Sequence, residues 1–172
     1  LYAILFGGLF QSIITVGQFL KQGSLGLWFL GESVFDKDIL GVASFYLPNG
    51  DKIVRAYGTT PHSNVLAAYL FLALSCFYFL WLYKKTKYQS FIFYSHFVVL
   101  WAFFYSFARV PAFVLGVNYI IRGCLSVTKF SERFKRKEIL KLVLLTGAVI
   151  VGFAVLYWPE VLARLKISGD ED

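Results

Sequence analysis

The run Phe91–Val127, FIFYSHFVVLWAFFYSFARVPAFVLGVNYIIRGCLSV, is an apolar block broken at Arg109 and Pro111. Whether it is one helix or two sets the topology of everything around it. It holds roughly 37 residues, against the ~20 that one membrane crossing needs. Its flanks are KKTK (Lys84–Lys87) and KFSERFKRK (Lys129–Lys137), the two short, strongly basic loops of the chain. Cytoplasmic loops of membrane proteins collect Lys and Arg, which puts both on one side. Two loops on the same side require an even number of crossings between them. The run therefore reads as an outward helix over 91–107, a tight turn near Ala108–Pro111, and a returning helix over 110–127. Each arm is short for a crossing, so tilt is small or the bilayer thins locally. A single kinked helix with a long cytoplasmic end is the rival reading.

Three more apolar blocks flank this one, over 1–20, 61–83 and 139–158. Together they predict an all-α polytopic membrane protein. It forms a single membrane domain over 1–172, with about five transmembrane helices. Spans 1–20, 91–107 and 139–158 run outward; 61–83 and 110–127 run inward. Composition agrees, since 58% of residues are apolar, against about 45–50% in soluble domains. The formal charge of +7 does not indicate nucleic acid, because the basic residues gather in the gaps between apolar blocks. Cys76 and Cys124 both lie in apolar blocks, so neither a disulfide framework nor a metal site is expected. Leu1 falls inside one apolar block and Asp172 soon after another. A central piece of a larger membrane protein, truncated at both ends, is therefore expected.

The outer loop, 22–60, carries structure of its own. SLGLWFL (Ser24–Leu30) suits a membrane interface. Val42–Tyr57 sets β-branched and aromatic runs around Pro48-Asn49-Gly50-Asp51. Asn-Gly between such runs predicts a β-hairpin, outward-facing, with Arg55 on its second strand. Beyond it lies a seam, VRAYGTTPHSNVLAAYL (Val54–Leu70), where a polar turn enters an apolar helix. Thr60 is expected to cap that helix and Pro61 to open it. His62, Ser63 and Asn64 then fill the first turn, whose N–H groups have no intrahelical partners. Such a helix tip attracts anions. Arg55 on the hairpin and Arg109 in the next outward turn emerge on the same face.

Two arginines, a histidine and a helix tip suit a diphosphate. Arginine offers forked donors that match phosphate oxygens. A histidine there can take a proton from an attacking hydroxyl or add positive charge. The candidate set is thus His62 as the catalytic group, with Arg55, Arg109, Ser63 and Asn64 holding the diphosphate, and no metal or other cofactor. Plainer roles stand beside these. Arg55 can pair with Asp51 across the hairpin, and Arg109 can meet lipid headgroups. Arg122, near the cytoplasmic end of its span, can snorkel. His96, inside span 91–107, reads as an interhelical hydrogen-bonding group. Gly7-Gly8, Gly116, Gly147 and Gly152 read as sites of close helix packing.

The seam RAYGTTPHSNVLAAYL (Arg55–Leu70) resembles the pattern R-x-x-G-T-F-x-x-x-N-x-L-A-x-x-L of the O-antigen ligase and O-antigen polymerase family. SFARVPAFVLGV (Ser106–Val117) resembles that family's later S-R-x-x-x-L segment at the next outward turn. Two positions depart from the pattern: Thr60 stands where Phe is frequent, and Ala108 precedes Arg109 where Ser is usual. The resemblance implies a multi-pass glycosyltransferase of the bacterial inner membrane. Such an enzyme moves a glycan from undecaprenyl diphosphate to an acceptor hydroxyl, on another glycan or on the lipid A core, at the periplasmic face. It is metal-independent and inverting. By this likeness Arg55 and Arg109 hold the diphosphate, and Pro159–Asp172 begins a large periplasmic loop. The family's important histidine usually lies in that loop, which leaves His62 as a substrate contact or a structural residue. Two other classes stay open. A transporter or flippase of lipid-linked sugars would need a polar path at mid-membrane depth, and these spans carry few polar residues there. A non-catalytic membrane scaffold would need none of the arginines.

Overall fold

The computed structural model describes residues 1–83, 87–127 and 136–166. Six α-helices and one small sheet account for most of it. The elements in chain order are α1 (Tyr2–Lys21), β1 (Ser44–Tyr46), β2 (Lys52–Val54), α2 (Ser63–Tyr83), α3 (Gln89–Tyr105), α4 (Arg109–Val127), α5 (Arg136–Leu156) and α6 (Trp158–Lys166). Most of KKTK and of KFSERFKRK lies outside the described residues, as does the side chain of Arg122.

The run Phe91–Val127 belongs to two helices. α3 stops at Tyr105 because the chain turns sharply over Ser106–Ala108. Ser106 donates its hydroxyl back to the Phe103 carbonyl at 2.6 Å. Phe107 adopts φ 44°, a left-handed conformation that costs a non-glycine residue about 1–2 kcal/mol. Its ring is held by Phe45 at 5.0 Å, Phe19 at 5.7 Å and Phe153 at 5.9 Å. Burial of the aromatic ring offsets the backbone strain.

Two helices are long and apolar enough to cross a membrane, Tyr2–Lys21 and Ser63–Trp81. The apolar part of α4 is shorter, and α5 and α6 meet at a bend of 89°. α1, α2 and α3 pack on one another, while α4 pairs with α5 and reaches α2. The core stripe of α2 is Leu66, Leu70, Leu74 and Phe77, all fully buried. Their spacing of four and three residues keeps one helix face inward. Gly7 and Gly8 of α1 admit α2 closely, since a Cβ on Gly8 would sit 2.6 Å from the Ala73 methyl. The expectation of close packing fails at Gly116, Gly147 and Gly152, where an added Cβ meets nothing within 4 Å. His96 of α3 makes the interhelical bond expected of it, Nε2 to the Tyr119 hydroxyl of α4 at 2.8 Å.

The hairpin forms as expected, with Ser44 opposite Val54 and Tyr46 opposite Lys52. Gly50 at φ 88° supplies the left-handed residue of its turn. Arg55 lies one residue past β2, and its N–H continues the ladder to the Ala43 carbonyl at 3.0 Å.

The α3–α4 turn falls at Ser106–Ala108, not Ala108–Pro111, and α5 begins at Arg136, not 139; two further differences bear on the site. α2 begins at Ser63, not Pro61. Thr60 is not its cap, because the Thr60 hydroxyl turns to the Tyr57 and His62 carbonyls. His62 caps the helix instead, its Nδ1 accepting the Asn64 N–H at 3.1 Å. The second difference is α6. Residues 159–166, expected to begin a large loop, continue as a helix that turns across the end of α5 and meets β1. Pro159 sits at its first turn, where the missing N–H costs nothing.

Candidate functional site

The C-terminal ends of α1, α3 and α5 meet the N-terminal ends of α2 and α4, and the hairpin and α6 close over them. This gathering comes from hydrogen bonds between side chains and backbone. Two glutamines of α1, Gln11 and Gln18, and Gln22 just past its end turn toward the seam. Gln11 binds Thr59 twice, accepting its N–H at 2.9 Å and donating to its hydroxyl. Gln18 accepts the N–H groups of Tyr57 and Gly58 at 3.0 and 2.7 Å and donates to the Gly58 carbonyl at 2.8 Å. Gln22 accepts the Val54 N–H at 2.9 Å. These amides give the irregular seam the partners that a strand or helix would have supplied. Gly58 has φ 62°, and a Cβ there would stand 2.3 Å from Gln11 Oε1 and 2.8 Å from Leu66 Cδ1. Both the conformation and the space require glycine.

Arg55 is only 4% exposed. Its Nε donates to the Ser106 carbonyl and its Nη2 to Asn64 Oδ1, both at 2.6 Å. It therefore ties the hairpin to the end of α3 and the start of α2. The alternative pairing with Asp51 does not form, since Asp51 takes Asn49 instead. Two of the five guanidinium N–H groups are spent on the scaffold, leaving Nη1 without an acceptor among the described residues.

Two further arginines face Arg55. Arg109 is the first residue of α4 and is exposed. Arg164, on α6, is half-buried and donates from Nε to the Phe107 carbonyl at 3.3 Å. The two successive carbonyls of the α3–α4 turn, Ser106 and Phe107, thus each accept an arginine. Among the described residues no carboxylate pairs with any of the three. Burial pulls Arg55 down to about 10, assisted by the charges of Arg164 and Arg109. Burial also lowers Arg164, with Arg109 adding to the effect. Arg109 additionally sits at a helix N-terminus, where a cation opposes the macrodipole. Like charges gathered in this way disfavour one another's charged form.

His62 is exposed, beside the Tyr57 ring at 5.7 Å. Burial first, and then the charge of Arg55, lowers its pKa from 6.5. With Nδ1 engaged by the Asn64 N–H, the proton of the neutral ring belongs on Nε2. The lone pair that a general base needs is already committed to the helix cap. Ser63 is fully buried and its hydroxyl has no partner among the described residues. Of the residues singled out from sequence, Arg55, Arg109, His62 and Asn64 come together, while Ser63 turns inward.

An apolar cavity of about 190 Å³ opens beside the arginines, with Arg109 and Arg164 in its wall. Phe103, Phe104, Ile150 and Phe153 line its interior. An ionic rim over an apolar interior matches a ligand with an acidic head and a hydrocarbon tail.

The sequence reading missed Arg164 and the three glutamines. Trp158-Pro159 followed by an amphipathic stretch marks a helix start and would have found α6. Gln11, Gln18 and Gln22 in an otherwise apolar run are spaced by seven and four residues, which marks one polar face. Comparison with known protein families, characterised proteins and solved structures gives no match for this chain.

Proposed function

We propose that the chain is a five-crossing membrane domain whose outer face grips a lipid-linked diphosphate for glycan transfer. The donor is a glycan on undecaprenyl diphosphate, and the acceptor is a sugar hydroxyl of another glycan or of a lipid A core. The resemblance of Arg55–Leu70 and Ser106–Val117 to O-antigen ligases and polymerases motivates the reaction. One observation carries the reading: Arg109 and Arg164 line an apolar cavity, their charges reach the buried Arg55, and among the described residues no carboxylate pairs with any of the three.

In this mechanism Arg55 is the fixed member, held by Ser106 and Asn64, and offers its unspent N–H groups to one phosphate. Arg109 and Arg164 take the other phosphate and the charge that grows on it as the glycosidic bond breaks. The tail's first segment enters the cavity that Phe104, Ile150 and Phe153 line. His62 donates from Nε2 to the diphosphate and holds the tip of α2 in place. The attacking hydroxyl gives its proton to a group other than His62.

The test is binding of undecaprenyl diphosphate to the chain in lipid nanodiscs, with turnover of a glycan-bearing donor measured alongside. Wild type is compared with Arg55→Ala, Arg109→Ala and Arg164→Ala. Each replacement is expected to weaken binding at least tenfold, as loss of a charge-assisted phosphate contact does. Unchanged binding in all three removes the site. Binding without turnover leaves a carrier or a scaffold.

A further inference from the structure

Among the described residues two charged side chains are buried, Arg55 and Glu32, and they do not pair. Glu32 is 6% exposed and lies in the outer loop, beyond the 3₁₀ turn Trp28–Leu30. Its Oε1 accepts the Leu25 N–H and the Gln18 amide, both at 2.7 Å, and its Oε2 accepts the Leu27 N–H at 2.5 Å. Three donors, two from the loop backbone and one from α1, meet its two oxygens. Only a carboxylate satisfies all of them, because an amide at this position has one oxygen and would turn its NH₂ toward a donor.

The contact with Gln18 has consequences for the site. All four hydrogen-bonding positions of that amide are filled: Nε2 donates to Glu32 and to the Gly58 carbonyl, and Oε1 accepts the Tyr57 and Gly58 N–H groups. Rotating the amide by half a turn would set NH₂ against two N–H groups and oxygen against two oxygens. Glu32 thereby favours one orientation of Gln18. That orientation fixes the backbone at residues 57 and 58, between Arg55 and His62.

We propose that Glu32 is a positioning residue for the outer-face site, acting through Gln18 on the Tyr57–Gly58 backbone and so on the placement of Arg55 and His62. The proposal rests on the reading of that site as a diphosphate-binding one. Its mark is that the effect of Glu32 vanishes once Gln18 is gone.

The experiment is a double-mutant cycle of Glu32→Gln and Gln18→Ala in nanodiscs. It is read by undecaprenyl diphosphate affinity and by hydrogen exchange at the Tyr57 and Gly58 amides. Glu32→Gln is expected to weaken affinity about tenfold, as loss of a buried charge-assisted hydrogen bond does, and to speed exchange at both amides. Gln18→Ala is expected to do the same, and the double variant to match Gln18→Ala within about twofold, as non-additivity through one shared contact requires. Affinity and exchange within twofold of wild type in Glu32→Gln overturn the proposal. Two effects that multiply in the double variant overturn it as well. If wild type binds no lipid diphosphate, the reading of the site falls, and the exchange cycle alone still decides the role of Glu32. Should Glu32→Gln fail to fold, Glu32→Asp keeps both oxygens but withdraws them by one methylene and is read the same way.

Discussion

Arg55 donates from Nη2 to Oδ1 of Asn64 at 2.6 Å, joining the end of the hairpin to the first turn of α2. Asn64 also gives its own N–H to His62, so one residue orients both the buried cation and the exposed imidazole. Asn64→Ala should cost about 1–2 kcal/mol of stability, as loss of a hydrogen bond to a buried charge does. Asn64→Asp separates structure from binding. Its carboxylate pairs with Arg55 and preserves the fold, but competes with any anion. Thermal unfolding should show a midpoint at or above wild type, while undecaprenyl diphosphate affinity falls. A variant that binds as tightly as wild type would show that Arg55 does not meet the ligand.

Gly58 joins a left-handed backbone to a site with no room for a Cβ. Gly58→Ala should destabilise the chain by about 2–4 kcal/mol, the sum of the conformational cost and the overpacking. Denaturation in detergent, followed by tryptophan fluorescence, measures it. A loss below about 0.5 kcal/mol, the level of an ordinary surface change, would mean the seam relaxes freely.

His62 predicts a pH dependence. Its folded pKa is lowered by burial and by Arg55, so the folded state prefers the neutral ring. Its contribution is present in full above the unfolded value near 6.5. As pH falls below 6.5 the unfolded chain takes up the proton first, and stability is lost until the folded pKa is passed. Protonation at Nδ1 also removes the acceptor that caps α2. His62→Asn keeps a capping acceptor without a titrating group. Unfolding midpoints measured across this interval should slope for wild type and flatten for His62→Asn.

Arg109 and Arg164 should part company. Arg109 has no structural bond among the described residues and stands at a helix N-terminus, so Arg109→Ala should leave stability unchanged or raise it. Arg164 caps the Phe107 carbonyl, so Arg164→Ala should lower the unfolding midpoint. Both should lose diphosphate affinity tenfold or more. If Arg109→Ala lowers stability but not affinity, Arg109 serves the fold.

The sequence by itself determined five of the six helices, α1 to α5 but not α6, because apolar runs and basic gaps are local quantities. It divided Phe91–Val127 into two helices, through charge on its flanks and Arg109-Val110-Pro111 within it, but set the turn at Ala108–Pro111, where the structure turns over Ser106–Ala108 and opens α4 at Arg109. The hairpin was equally legible, since Asn49-Gly50 between β-branched and aromatic residues carries its own turn chemistry. It also brought Arg55, His62, Asn64 and Arg109 to one end by counting crossings alone. Only the tertiary structure decided what each of these groups is free to do. The lone pair of His62 is spent on the cap, Ser63 faces inward, and Arg55 is half committed to Ser106 and Asn64. Arg164 joins from a helix that begins more than a hundred residues after Arg55. Hydrogen bonds between an α1 glutamine and a turn some forty residues later depend on distance in space, and no local pattern encodes that.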